Sequence, residues 1–155
     1  GFLGLATYRA SHCLWNKNRH TMALFFQNRS SEIFGIDIHP AAKIAGGVMM
    51  DHATGIVIGE TAVIESDVSI FQGVTLGGKG NEVGKRHPNI KSGATIYASS
   101  TILGNITVGN KAVIAAGSLV LKDVKNETTV AGIPAKEVNK LNISSNDWDP
   151  GDSSL

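Results

Sequence analysis

From Ile38 to Val120 the chain places an aliphatic residue at every sixth position, with two interruptions: Ile38, Ile44, Met50, then Ile58, Ile64, Ile70, Leu76, then Ile90, Ile96, Ile102, Val108, Ile114, Val120. Four residues after nearly every anchor stands a small or β-branched residue: Ala42, Val48, Thr54, Ala62, Val68, Val74, Ala94, Ser100, Ile106, Ala112, Ser118 and Val124. A helix repeats its apolar face about every 3.6 residues and a flat strand about every two, so neither explains this spacing. A parallel β-helix does. Each hexad supplies one short strand and one corner, three hexads close a triangular coil, and each coil buries its aliphatic residues against the next. The alternative, an ordinary β-rich domain with chance spacing, leaves the regularity without a cause. Glycines at 46, 47, 55, 59, 73, 104, 109 and 117 fit corners that need unusual backbone angles.

Counting hexads around the triangle assigns anchors 38, 58, 76, 102 and 120 to one face, 44, 64, 90 and 108 to a second, and 50, 70, 96 and 114 to a third. Residues 36–125 form the solenoid, about four coils. Residues 1–35 read as the end of a helical domain: two short helices broken near Asn16 to Asn18, with Leu3, Ala6, Ala10, Cys13 and Leu14 on one apolar stripe and Met22, Phe25, Phe26 and Ile33 on another. They are expected to cap one open end of the solenoid, where strand edges would otherwise be bare. Residues 126–141 read as a loop and terminal segment leaving the grid. Residues 142–155, with three Asp, no Lys or Arg, and several Ser and Asn, read as a mobile tail.

Composition narrows the partners. With 155 residues, a net charge of +1 and no basic run, one main domain is expected and nucleic acid is not an expected ligand. No apolar stretch approaches the roughly 20 residues of a membrane span. The single cysteine, Cys13, allows no internal disulfide and suits a reducing, cytosolic compartment; it is expected in the core of the cap. The start at Gly1, directly followed by an apolar helical pattern, leads us to expect more chain upstream.

Chemistry is expected where the grid breaks, since insertions in a repeat protein map to surface loops. Anchors 50 and 58 imply two extra residues, expected near Ile56 and Val57. Anchors 76 and 90 imply an eight-residue excursion within Gly77 to Asn89 that contains Arg86-His87-Pro88. Asp37 lies at the corner entering the first face, and Asp51 and His52 near that same corner one coil later, so an Asp37–His52 hydrogen bond is expected. The carboxylate would fix the imidazole tautomer and leave the other nitrogen to take a proton from a hydroxyl. The loop with Arg86 and His87 leaves from a different edge, and a six-residue face spans at most about 20 Å. A three-fold assembly, bringing one edge of each prism against a different edge of its neighbour, would unite them in a site between subunits.

Taken singly, each of these residues is commonly just solvated or structural. Together, Asp51 offers a carboxylate for an ammonium group, Arg86 a guanidinium for a carboxylate, and His87 an imidazole for a developing oxyanion. Those parts could hold an amino acid and activate its hydroxyl. No covalent-catalysis motif such as Gly-x-Ser-x-Gly is present, so any group transfer is expected to be direct. Two other readings compete. Three histidines, His39, His52 and His87, could serve a zinc-dependent hydration enzyme. A non-catalytic scaffold docking a partner through its tail would not explain why the polar residues gather at the breaks.

Several stretches resemble one family. Asp37-Ile-His-Pro-Ala-Ala-Lys-Ile44, Met50-Asp-His-Ala-Thr-Gly-Ile-Val-Ile-Gly-Glu-Thr-Ala-Val-Ile64, Val74-Thr-Leu-Gly-Gly78, Lys85-Arg-His-Pro88, Ile102-Leu-Gly-Asn105 and Ala131-Gly-Ile-Pro-Ala-Lys136 are together similar to serine O-acetyltransferases, the hexapeptide-repeat enzymes of cysteine biosynthesis. Single hexapeptides are shared by many acyltransferases; the long stretch from Met50 combined with Lys-Arg-His-Pro is specific. The resemblance spans roughly residues 1–140 and implies a left-handed parallel β-helix with a short N-terminal helical cap. It implies acetyl transfer from acetyl-coenzyme A to L-serine in the cytoplasm, with no metal and no tightly bound cofactor. His52 is then implied as general base with Asp37 as partner, Asp51, Arg86 and His87 as holding serine, and His87 as assisting the intermediate. L-cysteine is implied as an inhibitor at the serine pocket. Gly78, Ala98, Ala116 and Lys136 match positions that contact acetyl-coenzyme A. The family's partners imply a homotrimer, a hexamer where the larger helical domain is present, and docking of the C-terminal tail into O-acetylserine sulfhydrylase. That tail usually ends in Ile; here it ends in Leu155. An O-acetyltransferase of this fold acting on another small hydroxyl acceptor, such as a sugar, is the nearest alternative, against which Arg86 argues.

Overall fold

The structure, a computed structural model, describes residues 1–80 and 84–138. Three parallel sheets wind into a solenoid. The strands carrying Ile38, Ile58, Leu76, Ile102 and Val120 stack on the first face, those carrying Ile44, Ile64, Ile90 and Val108 on the second, and those carrying Met50, Ile70, Ile96 and Ile114 on the third. Each anchor stands in register with the anchor one coil away, as Ile58 does with Ile38 and Leu76. All thirteen anchors are buried, so the period of six is the period with which the chain returns an aliphatic side chain to one continuous core.

The ladder runs further than about four coils. Five strands stack on the first face, Val124 bridges to Val108 on the second, and Thr129–Ala131 pairs in parallel with the Ile114 strand on the third. Val130 is buried there like an anchor, although irregular spacing after Val120 hides it from the grid. Lys136–Val138 then turns back antiparallel onto Thr129–Ala131 and ends the sheet.

The corner glycines other than Gly46 divide into two kinds. Gly47, Gly55, Gly73, Gly104 and Gly117 have positive φ. Gly59 and Gly109 do not; there a Cβ would collide with His87 and with the Asn126 segment, respectively. Close approach, not backbone angle, requires glycine at those two positions.

Helices α1 (Phe2–Asn16) and α2 (His20–Phe34) cap the first coil. The faces that pack are not the apolar stripes expected from the sequence. α1 buries Gly4, Tyr8 and Ser11, and α2 buries Ala23 and Ser30, while Leu3, Met22, Phe25 and Ile33 are exposed. Cys13 is exposed as well, not in the core. The packed faces set Gly4 against the Ile36 side chain and Tyr8 into the core, and they also carry polar groups that meet backbone. Tyr8 Oη donates to the Ala42 carbonyl at 2.6 Å, the His12 ring bonds the Pro40 carbonyl at 2.6 Å, and Arg9 donates to the carbonyls of Ile44 and Ala45. These carbonyls belong to the first coil, which has no coil beneath it to satisfy them. Ser11 Oγ donates to the Ala23 carbonyl and ties the two helices together. Among the described residues no helix is long and apolar enough to cross a membrane.

Candidate active site

Both breaks in the grid carry polar residues, and they lie on different edges. On the edge between third and first faces one backbone bond recurs coil after coil: Gly55 N–H to Gly35 O, Gly73 N–H to Thr54 O, Ser99 N–H to Gln72 O, and Gly117 N–H to Ala98 O. Thr54, Gln72 and Ala98 are therefore equivalent. Asp51 is likewise in register with Phe71. Between Phe71 and Gln72 there is nothing; between Asp51 and Thr54 stand His52 and Ala53. The two inserted residues are His52 and Ala53 themselves, not residues near Ile56 and Val57, and Ile56 rather than Thr54 fills the buried corner position. Both adopt the left-handed region, with φ of 55° and 63°, a strained choice for residues with a Cβ. The resulting bulge buries the Ala53 methyl and leaves the His52 side chain 75% exposed.

The expected Asp37–His52 hydrogen bond is not formed. Asp37 Oδ1 instead accepts from the Gln27 amide of α2 at 2.6 Å. The nearer carboxylate to the His52 ring is Asp51, with Oδ2 3.8 Å from Nε2 and Oδ1 accepting the His52 N–H at 3.0 Å. The bulge turns the ring back over its own strand, an effect that counting along regular hexads does not capture.

The second cluster occupies the edge between first and second faces. The excursion after Gly77 returns so that Val63 N–H bonds the Pro88 carbonyl and Asn89 stands in register with Val63. That return lays Arg86 and His87 over Glu60 and Thr61. Arg86 Nη2 donates to Glu60 Oε2 at 2.5 Å, and this bond, chiefly, holds the Glu60 carboxyl below the usual carboxylate range. The Arg86 and His87 amides both donate to Thr61 Oγ1, at 3.0 and 3.1 Å. The Thr61 amide donates to His87 Nδ1 at 3.2 Å, and Thr61 Oγ1 lies 2.8 Å from the same nitrogen. Lys85 Nζ reaches the Thr61 carbonyl.

His87 is only 7% exposed, its ring lying over Gly59 and beside Gly78. Burial, then the charges of Arg86 and Lys85, push its pKa below the ordinary imidazole value despite the opposing pull of Glu60. His39, on the same edge and edge-on to Trp15 at 5.1 Å, is also lowered, by burial against the pull of Glu60 and Asp37.

The structure thus gathers Arg86, His87 and Gly78 on one edge, and Asp51, His52, Ala98 and Ala116 on the other, with Asp37 where that second edge enters the first face. Among the described residues no three metal-ligating side chains converge, and His52 stands on a different edge from His39 and His87. Lys136 lies apart from both clusters, lining a cleft of about 410 Å³ at the solenoid's last coil with Lys122 and Lys125. The tail and Leu155 lie outside the described residues. Glu60, Thr61 and Gln27 were not anticipated. Counting back from the stacked anchors Ile64 and Ile90 would have paired Glu60 with Arg86 and Thr61 with His87.

No family model matches the chain. Individual proteins do. It is 60% identical over 141 residues to serine acetyltransferase 2 of Arabidopsis thaliana, covering 91% of this chain and 44% of that protein, and 59% identical over 140 residues to the serine acetyltransferase of Escherichia coli K12, covering 90% and 51%. The chain is related to one portion of the serine acetyltransferases. It spans about half the length of these curated relatives. Among solved structures, a serine acetyltransferase in complex with cysteine superposes with a TM-score of 0.89 at 57% identity, over 90% of this chain and 58% of that one. A complex with coenzyme A gives 0.85 at 55%, over 89% and 57%. The Neisseria gonorrhoeae serine acetyltransferase in complex with serine gives 0.87 at 52%, over 90% and 57%. The matched stretch of 141 residues contains the solenoid with both polar edges.

Proposed function

We propose that the chain carries the acetyl-transfer site of a serine O-acetyltransferase, moving acetyl from acetyl-coenzyme A to the hydroxyl of L-serine, and that the site forms between neighbouring copies in a homotrimer. The observation that carries this reading is the division of the polar residues between two edges of one prism. The likeness to structures described as complexes with serine, cysteine and coenzyme A supports the choice of ligands, with L-cysteine an inhibitor at the serine position.

In this reading His52 of one copy takes the proton from the serine hydroxyl, whose oxygen bonds to the acetyl carbonyl carbon. The tetrahedral intermediate collapses by breaking the carbon–sulfur bond, and the thiolate recovers the proton from His52, so no covalent enzyme intermediate forms. Asp37 has only Oδ1 engaged by Gln27, leaving Oδ2 to orient the imidazole. Asp51 receives the ammonium group of serine, and Arg86 and His87 of the neighbouring copy meet its carboxylate and the oxyanion. Gly78, Ala98 and Ala116 line the path of acetyl-coenzyme A between the edges, with Lys136 toward a phosphate. The C-terminal tail is proposed to dock into O-acetylserine sulfhydrylase, and a larger helical domain, where present, to join trimers into hexamers. A cytosolic location accords with the single cysteine.

The test is release of coenzyme A thiol from acetyl-coenzyme A with and without L-serine, on the wild type and on folded His52→Ala, alongside sedimentation. Serine-dependent release that falls by about 10²- to 10⁴-fold in the variant is expected. Unchanged release from the variant would remove His52 from the chemistry, and a fully active monomer would rule out the shared site.

A further inference from the structure

We infer that Thr61 is a positioning residue that fixes His87 as the tautomer carrying its proton on Nε2, so that the ring meets a substrate oxygen as a hydrogen-bond donor and not as a base. The argument is a count of protons and lone pairs. Thr61 Oγ1 has two lone pairs, and the amides of Arg86 and His87 occupy both. Its own proton must then point at a remaining acceptor, and His87 Nδ1 lies 2.8 Å away. The Thr61 amide, which can only donate, points at the same nitrogen from 3.2 Å. A proton on Nδ1 would face an N–H and an oxygen with no lone pair left, so both the Nδ1–H tautomer and the imidazolium are disfavoured. Nε2 carries the proton and lies over Gly59 and near Gly78, against which the Arg86 Cγ also packs.

The surroundings agree with a neutral ring. The charged and titratable groups that face it are Arg86, Lys85, Glu60 and His39, of which the two basic side chains on its own loop oppose a further positive charge while Glu60 is already engaged by Arg86. A neutral Nε2–H donor can stabilise an oxyanion without competing with His52 for the serine proton. This role in transfer rests on the function proposed above; the lock itself does not.

The test is a two-bond ¹⁵N–¹H correlation spectrum of the histidine side chains in the ¹⁵N-labelled full chain, with His87 assigned from His87→Gln. The expected wild-type pattern at neutral pH is Nε2–H, with His87 titrating below the ordinary imidazole value. Thr61→Val keeps the side-chain shape but removes the hydroxyl. It should mix the tautomers, raise the His87 titration midpoint and lower kcat by about ten-fold, one hydrogen bond's worth. Thr61→Ser, which keeps the hydroxyl, should restore the pattern. An Nδ1–H or imidazolium pattern in the wild type overturns the inference, and so does a Thr61→Val protein whose tautomer and midpoint are unchanged. If serine-dependent transfer is absent altogether, the spectrum still decides the lock, and only the catalytic reading fails.

Discussion

Arg86 Nη2 donates to Glu60 Oε2 at 2.5 Å, bridging two successive passes of the chain over one edge of the solenoid. The ion pair is part-exposed, and its value is orientation rather than stability. A guanidinium forks two parallel donors toward a carboxylate; with Glu60 fixing Nη2, the rest of the fork is aimed. Glu60→Gln should therefore raise KM for L-serine by about ten-fold with a smaller change in kcat, measured by steady-state thiol release. An unchanged KM would mean that Arg86 is held in place by its backbone and by the bond from Nη1 to the Gly84 carbonyl, without Glu60.

Gly59 has no room for a side chain, because a Cβ there would enter the His87 imidazole. Gly59→Ala should cost about 10²-fold in kcat through a displaced ring while far-UV circular dichroism and sedimentation stay as in the wild type. Gly46, where a Cβ meets nothing within 4 Å, is the control, and its alanine variant should behave as wild type.

Among the described residues, Gln27 is the only residue of α2 to hydrogen-bond a proposed site residue, through its amide on Asp37 Oδ1. Gln27→Ala should leave KM for serine in place and lower kcat about five-fold, the scale of one modest hydrogen bond. If Asp37→Asn lowers kcat but Gln27→Ala does not, Asp37 orients His52 without help from the helical cap.

His39 and His87 are both held below the ordinary value of 6.5, mainly by burial. Between their folded values and 6.5 the unfolded chain binds more protons than the folded one, so stability rises with pH across that window. The contribution is complete above 6.5 and is lost as pH falls through the folded values. Glu60 and Glu65, whose carboxyls are lowered by Arg86 and Lys91 respectively, add a loss with the same sign at more acid pH. Urea midpoints should drop as pH goes from about 7.5 to about 5.5, and His39→Gln should flatten that slope. A wild-type midpoint constant over this range would contradict the assignment.

The faces of the solenoid were legible in the sequence because burial alone sets the period: every anchor from Ile38 to Val120 falls where counting put it. The division of Arg86 and His87 from His52 was legible for the same reason. Side-chain partners were less so. Asp37 was assigned to His52 from corner geometry, but a bulge with two left-handed residues redirects the His52 ring and an amide from α2 claims Asp37. The two helices of the cap are legible in the sequence, but most of their apolar stripes face outward. Apolar stripes signal burial only when a helix packs on an apolar surface, and α1 packs its Tyr8, Arg9 and His12 against carbonyls of the first coil. Val130 escaped because a strand outside the six-residue rhythm can still complete a coil.

A stack of interchangeable coils invites slippage. Were the chain to slide by one coil while folding, each aliphatic anchor would meet another nearly identical one, and burial by itself could not tell the correct stack from the shifted one. His52 and Ala53 make one turn of the chain two residues longer than a regular coil at a single corner, with Ala53 packed inside and Gly55 seated against Gly73. A slipped stack would set that longer turn opposite a corner with no space for it. The same two residues that bring an imidazole out of the lattice thus help to mark where on the lattice each coil belongs, so that the order of the coils is encoded at the site itself.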